Sequence, residues 1–494
     1  MSITMWSDID WVKININITR IQKRIYQATI DNRIGTVHYL QRKLISSKYA
    51  KLLAVKQITQ KNKGYKAPNV NCATVISPEE KYQLALTLNI RDFAHPIRQA
   101  LIPKTGKTEK RSLKVPTIRD RSIQMLVKLA LEPQWEARFE PNSYGSRPGR
   151  SCHDAVEAVF NYNKRGHIYV LDANIHKYFD KINHERLLRK LDTLPIIKSQ
   201  IKAWLSTGIM KRFARRNKDE SLNSNNTRIP QGEVLSPLLA NIVLHGLETS
   251  INEYYKKTLL KNYQRETESQ TQLGVVRYAD DFIIMHPSKR IIHKVKFYIT
   301  NWLMKECGLE LSDEIFSITS SNQGYNFLGF HLISIKNGER IKCKLHVSKK
   351  SKKSLLSKTR EIFQKNRSVS SGDLILKLNP IITRWCYYFR YCECKTDFQQ
   401  VEYSIFSQLR AWVFRRYSKG LRSRTSIKLK YFPTNKTVTY NGKEHTGQWI
   451  FTGIAEDVNG NKQEIYLVYP SWVESEIYSK IKSNKSPYDG DSSY

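Results

Sequence analysis

Gly274-Val275-Val276-Arg277-Tyr278-Ala279-Asp280-Asp281-Phe282-Ile283-Ile284-Met285 is the stretch that decides how this chain reads. Two short apolar, β-prone runs flank adjacent carboxylates, a pattern that predicts a hairpin with the aspartates at or beside its turn. Carboxylates held side by side repel each other unless a cation sits between them, and hard divalent ions such as Mg²⁺ take oxygen ligands. Phosphoryl and nucleotidyl transfer use such ions to clamp the attacking and leaving oxygens. An Asp pair in a turn is common for its own reasons, because Asp is a turn former. What gives this pair weight is the strongly basic chain around it.

The chain has 494 residues, enough for two or three domains with sizeable cores. Lys and Arg number 82 against 44 Asp and Glu, a formal net charge of +38. An aromatic content of 11% and a hydrophobic content of 40% exclude disorder as the explanation for that charge. A polyanion is therefore the expected partner, since Lys and Arg contacts to phosphate release condensed counterions. A membrane surface is the competing partner, but no amphipathic basic helix stands out and no apolar run approaches the ~20 residues of a spanning helix.

Seven cysteines (Cys72, Cys152, Cys307, Cys343, Cys386, Cys392, Cys394) include no Cys-x-x-Cys pair. An odd count without a disulfide framework favours a reducing compartment, and the spacing of the last three reads as buried thiols rather than a zinc site. The N-terminus, with Asp8 and Asp10, has neither a secretory apolar core nor the acid-poor character of a transit peptide. Abundant Lys, Ile and Asn match AT-rich coding sequence, which points to an organelle genome.

From Ile14 to Ile58 the apolar spacing is helical (Ile21, Ile25, Ala28; Val37, Leu40, Leu44), with Arg20, Lys23, Arg24, Arg42 and Lys43 on other faces. A breaker segment follows from Lys61 to Pro68. A helix is expected over Ser122–Phe139, then a turn-rich loop, Pro141-Asn-Ser-Tyr-Gly-Ser-Arg-Pro-Gly-Arg150, that carries Arg147 and Arg150. Ile168–Ile175 reads as a strand leading to Phe179-Asp180. Beyond it come a helix over Ile196–Ile209, a polar loop, and Pro230-Gln231-Gly232 ahead of Ser236-Pro237-Leu238. From Lys349 the chain turns strongly basic and helical, with aromatics interleaved among arginines over Arg384-Trp385-Cys386-Tyr387-Tyr388-Phe389-Arg390 and at Trp412 to Arg416. Such side chains stack on bases and pair with phosphates, or else pack as a helical core with a basic rim.

In this order, a strand with an acid, Pro-Gln-Gly before a helix, and a Tyr-Ala-Asp-Asp hairpin, the motifs resemble the palm of reverse transcriptases. Gly308-Leu309-Glu310-Leu311 and Phe327-Leu328-Gly329-Phe330 resemble the motifs that close it. Residues 1–65 resemble the N-terminal extension of group II intron-encoded reverse transcriptases, and the basic aromatic helices resemble the thumb-like X domain of group II intron maturases. The end, Ser486 to Tyr494, resembles the start of the linker to that family's HNH endonuclease and stops without its Cys pairs. The resemblance implies an α+β, right-hand fingers–palm–thumb reverse-transcriptase fold with an antiparallel palm sheet and a helical thumb/X domain. Its expected parts are residues 1–65 as the extension, 66–340 as fingers and palm, 341–435 as thumb/X, and 436–494 as a C-terminal tail.

It also implies roles. Asp280 and Asp281 would be the metal-binding catalytic carboxylates, with Mg²⁺ in a weakened site. Lys104 and Arg111 would meet the triphosphate, Phe179 the sugar and Gln231 the primer–template. Arg147, Arg150, Arg384, Tyr387, Arg390, Arg415 and Arg416 would bind RNA, the Trp385 face packing inward and the Tyr387–Arg390 face meeting RNA. The sequence departs from the family where the bridging carboxylate belongs, at Asn174. An amide oxygen brings no charge, and Asp172, on the same face of a strand, lies one pleat or ~6–7 Å away. Ile315, Glu233, Ser146 and the run Arg111-Ser112-Leu113-Lys114 depart as well. The expectation is thus a maturase that binds structured intron RNA and assists its splicing, with polymerase activity lost or weak. The alternative is an active RNA-directed DNA polymerase that works on a DNA primer–template and supports intron mobility. An organelle is the favoured location and a bacterial cytoplasm the alternative; the sequence does not fix the oligomeric state.

Overall fold

Asp10 accepts the backbone N–H of Lys13 and so starts the first helix in the computed structural model. Described are residues 6–61, 77–91, 93–95, 97–103, 110–175, 182–206, 209–210, 234–260, 272–309, 316–337, 340–415, 423–456, 460–480 and 485–489. The chain divides into two units, Met1–Tyr162 with His167–Thr319 and Ile481–Tyr494, and Asn163–Gly166 with Ser320–Lys480.

In the first unit, α1 (Trp11–Ile30), α2 (Ile34–Ser46) and α3 (Lys48–Lys56) bury Ile14, Ile18, Ile25, Val37, Leu40 and Leu44, the apolar faces that helical spacing predicts. α4 (Pro78–Thr87) opens with a full capping box between Ser77 and Glu80. β1 (Ile97–Pro103) and β2 (Lys110–Val115) pair antiparallel, ahead of α5 (Ile118–Arg138). α5 begins a turn earlier than apolar spacing alone predicts, because Thr117 caps it by accepting the N–H of Asp120. α1, α2 and α3 share one core with α5. Buried amides stitch them to it: Gln22 Nε2 donates to the Leu129 carbonyl at 2.9 Å and Gln41 Nε2 to Gln134 Oε1 at 2.7 Å.

α6 (Cys152–Lys164), β3 (Tyr169–Asn174), α7 (His184–Lys190), α8 (Pro195–Ser206), β4 (Ile209–Met210), α9 (Ser236–Leu244) and α10 (Leu247–Tyr254) lead to the hairpin β5 (Gly274–Tyr278) and β6 (Asp281–His286), followed by α11 (Lys289–Trp302) and β7 (Phe316–Ser320). The central sheet has the order β5-β6-β3-β7. β5 and β3 both pair antiparallel with β6. Phe282, Ile283, Ile284 and Met285 are all buried, which accounts for a continuous apolar run where a half-exposed strand would alternate.

The second unit contains β8 (Tyr325–Phe327), β9 (Phe330–Asn337) and β10 (Arg340–Val347) as an antiparallel sheet of order β10-β9-β8. α12 (Lys349–Lys365), α13 (Ser371–Phe389), α14 (Lys395–Phe414) and α15 (Arg424–Tyr431) follow. Ser348, Ser370 and Ser423 cap α12, α13 and α15. Leu355, Phe363, Leu378, Ile382, Cys386, Phe398, Leu409 and Trp412 are buried among them.

The segment expected as a C-terminal tail, from residue 436, contains strands. Residues 436–480 carry two hairpins, β11 (Lys436–Tyr440) with β12 (Lys443–Gly447), and β13 (Thr452–Glu456) with β14 (Lys462–Tyr466). Residues 485–489 return to the first unit, where buried Tyr488 donates to Glu132 at 3.3 Å.

Candidate functional sites: an acid turn and a basic groove

Asp280 and Asp281 stand where β5 turns into β6, with Tyr278 opposite Asp281 across the hairpin. Ala279 completes the turn at φ 56°, in the left-handed region that an L-side chain rarely occupies. β3 lies on the other side of β6 and sets Asn174 opposite Asp281, and Asp172 opposite Ile283. The backbone register therefore pairs position 174, an asparagine, with Asp281. Asp281 is half-buried, and burial first, then the charges of Asp280 and Asp172, push its carboxyl up to about 7. Burial pushes Asp172 up to about 6. Among the described residues no group of three His, Cys, Asp or Glu side chains is placed to hold one metal ion.

The pair's oxygens and mutual repulsion suit one hard divalent cation, and binding it would relieve the charge that burial makes costly.

A pH test follows from these acids. Burial makes the folded chain hold a proton on Asp281 that the unfolded chain releases. The associated stability is present below the ordinary aspartate value and is lost as pH rises through about 7. Asp281→Asn should thus be more stable than the parent at pH 8, by roughly 1–2 kcal/mol after allowance for partial solvent screening, with the gap closing at pH 4. Glu248, also pushed up to about 7 by burial, is unchanged in the comparison and cancels. Thermal melts across pH measure the gap; equal melting temperatures at pH 8 would refute the assignment. Mg²⁺ should narrow the gap by favouring the ionised pair.

Of the other expected contacts, Lys104, Phe179 and Gln231 lie outside the described residues, as do Glu233, Ile315 and Arg416. Arg111 sits on β2 opposite Ile102. Arg147 and Arg150, the arginines of the turn-rich loop expected to contact RNA, both have partners within the protein. Arg147 is buried and grips Glu136 of α5 at 2.7 Å, and its guanidinium donates to the carbonyls of Glu140 and Ser143 at 2.8 and 2.6 Å. A desolvated arginine needs such partners, and these bind the loop to α5. Arg150 donates to the Lys485 carbonyl at 2.9 Å.

In the second unit Arg390 likewise has partners within the protein. Its guanidinium pairs with Glu476 and lies 4.9 Å from the Tyr387 ring and 5.4 Å from the Tyr391 ring. Tyr387 accepts a hydrogen bond from Asn441 at 2.7 Å, so the face expected to meet RNA packs against residues of the β-hairpin segment. Trp385 is half-buried against Phe389 and Phe398, with ring centroids 5.0 and 5.5 Å away. Arg390→Ala should therefore lower the stability of this unit by about 1–3 kcal/mol, the range for a lost charged hydrogen bond and cation–π contact. An unchanged urea midpoint would contradict this.

The exposed cations gather elsewhere. α12 carries seven Lys and Arg against one Glu. With α14 it walls an open groove of about 1220 Å³ lined by Lys349, Lys353, Arg360, Arg367, Tyr403 and Arg415. Tyr403 is 74% exposed, the kind of flat aromatic surface on which a base stacks. Arg384 on α13 is also exposed. Of the arginines expected to bind RNA, Arg415 lines this groove; the α12 cations were visible in the sequence only as a basic helical run.

Family models agree with this division. The model described as reverse transcriptase (RNA-dependent DNA polymerase) matches residues 102–332, which contain the acid turn. The N-terminal domain of reverse transcriptase matches residues 6–88, and the group II intron maturase-specific domain matches residues 352–432, which contain all of the groove's named lining but Lys349. The fold and the acid turn thus define a reverse-transcriptase-related protein. The chain belongs to the group II intron-encoded reverse transcriptase and maturase family.

Among its relatives, the group II intron-encoded protein LtrA of Lactococcus lactis subsp. cremoris is 30% identical over 298 residues, 50% of this chain and 48% of LtrA. Protein YkfC of Escherichia coli (strain K12) is 29% identical over 309 residues, 56% of this chain and 78% of YkfC. Maturase-like protein 1 of Euglena gracilis is 23% identical over 421 residues, 82% of this chain and 81% of that protein. The chain spans about half the length of LtrA. Reverse transcriptases as a family use Mg²⁺, and no described helix is long and apolar enough to cross a membrane.

Proposed function

We propose that this protein is a maturase that binds structured group II intron RNA through the α12–α14 groove and assists its splicing. The observation that carries the reading is that groove, whose exposed cations and Tyr403 suit a phosphate backbone and an unstacked base. Binding that favours the folded intron over its misfolded states stabilises the active RNA, and the RNA supplies the splicing chemistry. The fold reading that goes with this is a right hand, with the hairpin sheet as palm and the basic helices as thumb. Residues 436–480 join the thumb side as an addition to it.

The acid turn is a remnant polymerase site on this reading. Asp280 and Asp281 take a single divalent cation weakly, and Asn174 leaves the bridging charge absent. Lys104, Arg111, Phe179 and Gln231 keep the nucleotide-side positions of the family. The second reading, an active RNA-directed DNA polymerase on a primer–template, is favoured by the intact Tyr-Ala-Asp-Asp turn and disfavoured by Asn174. Maturase-like relatives in Euglena and the Lys-, Ile- and Asn-rich composition favour an organelle location. Primer extension on an RNA template with Mg²⁺ or Mn²⁺ separates the readings. The unaltered chain is expected to extend barely at all and Asn174→Asp to extend more; robust extension by the unaltered chain would favour the polymerase.

A further inference from the structure

A buried arginine immediately precedes the acid turn. Arg277 on β5 is 3% exposed, between the apolar Val275 and Val276 and the turn itself. A strand needing only core packing would carry another apolar residue there, because a desolvated guanidinium is costly unless its donors are used. Its Nη1 donates to the Asn241 side-chain oxygen at 2.9 Å and to the Ala279 carbonyl, in the turn, at 3.2 Å. Asn241, on α9 and 1% exposed, donates in turn to the Gly145 carbonyl at 2.7 Å.

Gly145 closes the circuit by contact. A Cβ at this position would lie 2.3 Å from the Ala279 nitrogen and 2.9 Å from the Tyr278 carbonyl carbon, so only glycine lets the loop lie flush on the turn. The loop is also bonded edge-on to β5, with Arg277 N–H donating to the Asn142 carbonyl and Tyr144 N–H to the Arg277 carbonyl, both at 2.9 Å. Asn142 is itself fixed by Glu248, to which its Nδ2 donates at 2.7 Å. Ala279 meanwhile holds a left-handed conformation at φ 56°. Such a conformation persists in an L-residue only where the surroundings over-determine it.

We infer that Arg277, Asn241 and Gly145 form a positioning brace that fixes the Asp280–Asp281 turn in the geometry in which the two carboxylates accept a divalent cation. This rests on the reading of those aspartates as a cation site. It gives the turn-rich loop a role in shaping the acid turn, in place of direct RNA contact.

The probe is Mn²⁺ alone with the full chain, followed by electron paramagnetic resonance; Mn²⁺ shares the oxygen preference of Mg²⁺. Asp280→Asn with Asp281→Asn should abolish specific binding. If the unaltered chain shows no aspartate-dependent Mn²⁺ binding, the cation-site reading fails and the brace with it. Given such binding, Gly145→Ala and Asn241→Asp should each weaken it at least tenfold with the circular dichroism spectrum and RNA affinity retained. Folded variants that bind within twofold of the parent would overturn the brace alone. A measurement without brace substitutions covers the case of variants that do not fold. By reciprocity, a cation favoured by the brace must favour the brace. Mg²⁺ should therefore slow hydrogen exchange at the Tyr144 and Arg277 amides severalfold in the parent but not in the Asp-to-Asn double variant. Exchange at both amides that ignores the cation would also overturn it.

Discussion

Neutralising Lys353, Arg360 and Arg367 together, each to Gln, should weaken binding to structured intron RNA by roughly 100-fold or more, about 3–4 kcal/mol for three lost charged contacts. All three line the α12–α14 groove and are exposed, so the loss of RNA affinity should far exceed any change in melting. The salt dependence is the sharper readout. Each phosphate contact contributes just under one unit to the slope of log affinity against log salt, so the triple variant should be flatter by roughly 2–3 units. Lys352, whose ammonium is held by Asp397 at 2.7 Å and by Gln400 at 3.1 Å, serves as the internal control. Its replacement by Gln should affect stability more than the salt slope. A triple variant that kept both affinity and slope would remove the groove from the RNA interface.

Gly372→Ala should destabilise the second unit by about 3 kcal/mol or more, the upper range of overpacking. Helix propensity alone predicts the reverse, since replacing Gly by Ala inside a helix stabilises by roughly 1 kcal/mol. The contact decides the sign. A Cβ on Gly372, in the first turn of α13, would lie 1.9 Å from the Ile454 carbonyl oxygen, and one on Gly453 would lie 2.4 Å from the Gly372 nitrogen. Two glycines thus let β13 and α13 meet backbone to backbone. Neither backbone can yield as the end of a flexible side chain could, so the added methyl should push the hairpin off the helix. Urea unfolding followed by tryptophan fluorescence reads the loss, because Trp412 and Trp449 lie in the ring cluster around Phe451 and Phe432 beside that hairpin. A raised midpoint would mean the close approach does not exist.

What the sequence made legible follows the range of the forces involved. The acid hairpin was readable because its signal is local: two β-prone runs, a turn, and strand periodicity that puts positions 172 and 174 on one face. The helices of residues 11–56 were readable from the spacing of Ile21, Ile25, Ala28, Val37, Leu40 and Leu44. The start of α5 was not, because its signal is a capping side chain, Thr117, rather than an apolar residue. The internal partners of Arg147 and Arg390 were hidden for a different reason. A guanidinium reads as a surface cation until its partner is known, and Glu136 and Glu476 are separated from them by 11 and 86 positions in the chain. The β11–β12 hairpin did have a local signal: Asn441-Gly442 between Lys-Thr-Val-Thr-Tyr and Lys-Glu-His-Thr-Gly, a dipeptide suited to the left-handed pair (φ 50° and 77°) that the turn adopts. No local pattern foretells the Gly372–Gly453 contact or the brace on Ala279. Both depend on backbones that meet only in the folded chain.

The central claim is that RNA assistance lives in the basic helices and not in the acid turn. The direct measurement is the rate of protein-assisted splicing of a group II intron RNA at limiting Mg²⁺, with Asp280→Asn and Asp281→Asn introduced together. The aspartates repel phosphate, so their loss should leave the assisted rate within about twofold of the parent and RNA affinity equal or slightly tighter. A fall of tenfold or more in the assisted rate, with the double variant folded, would contradict the account and put a metal-dependent step at the acid turn.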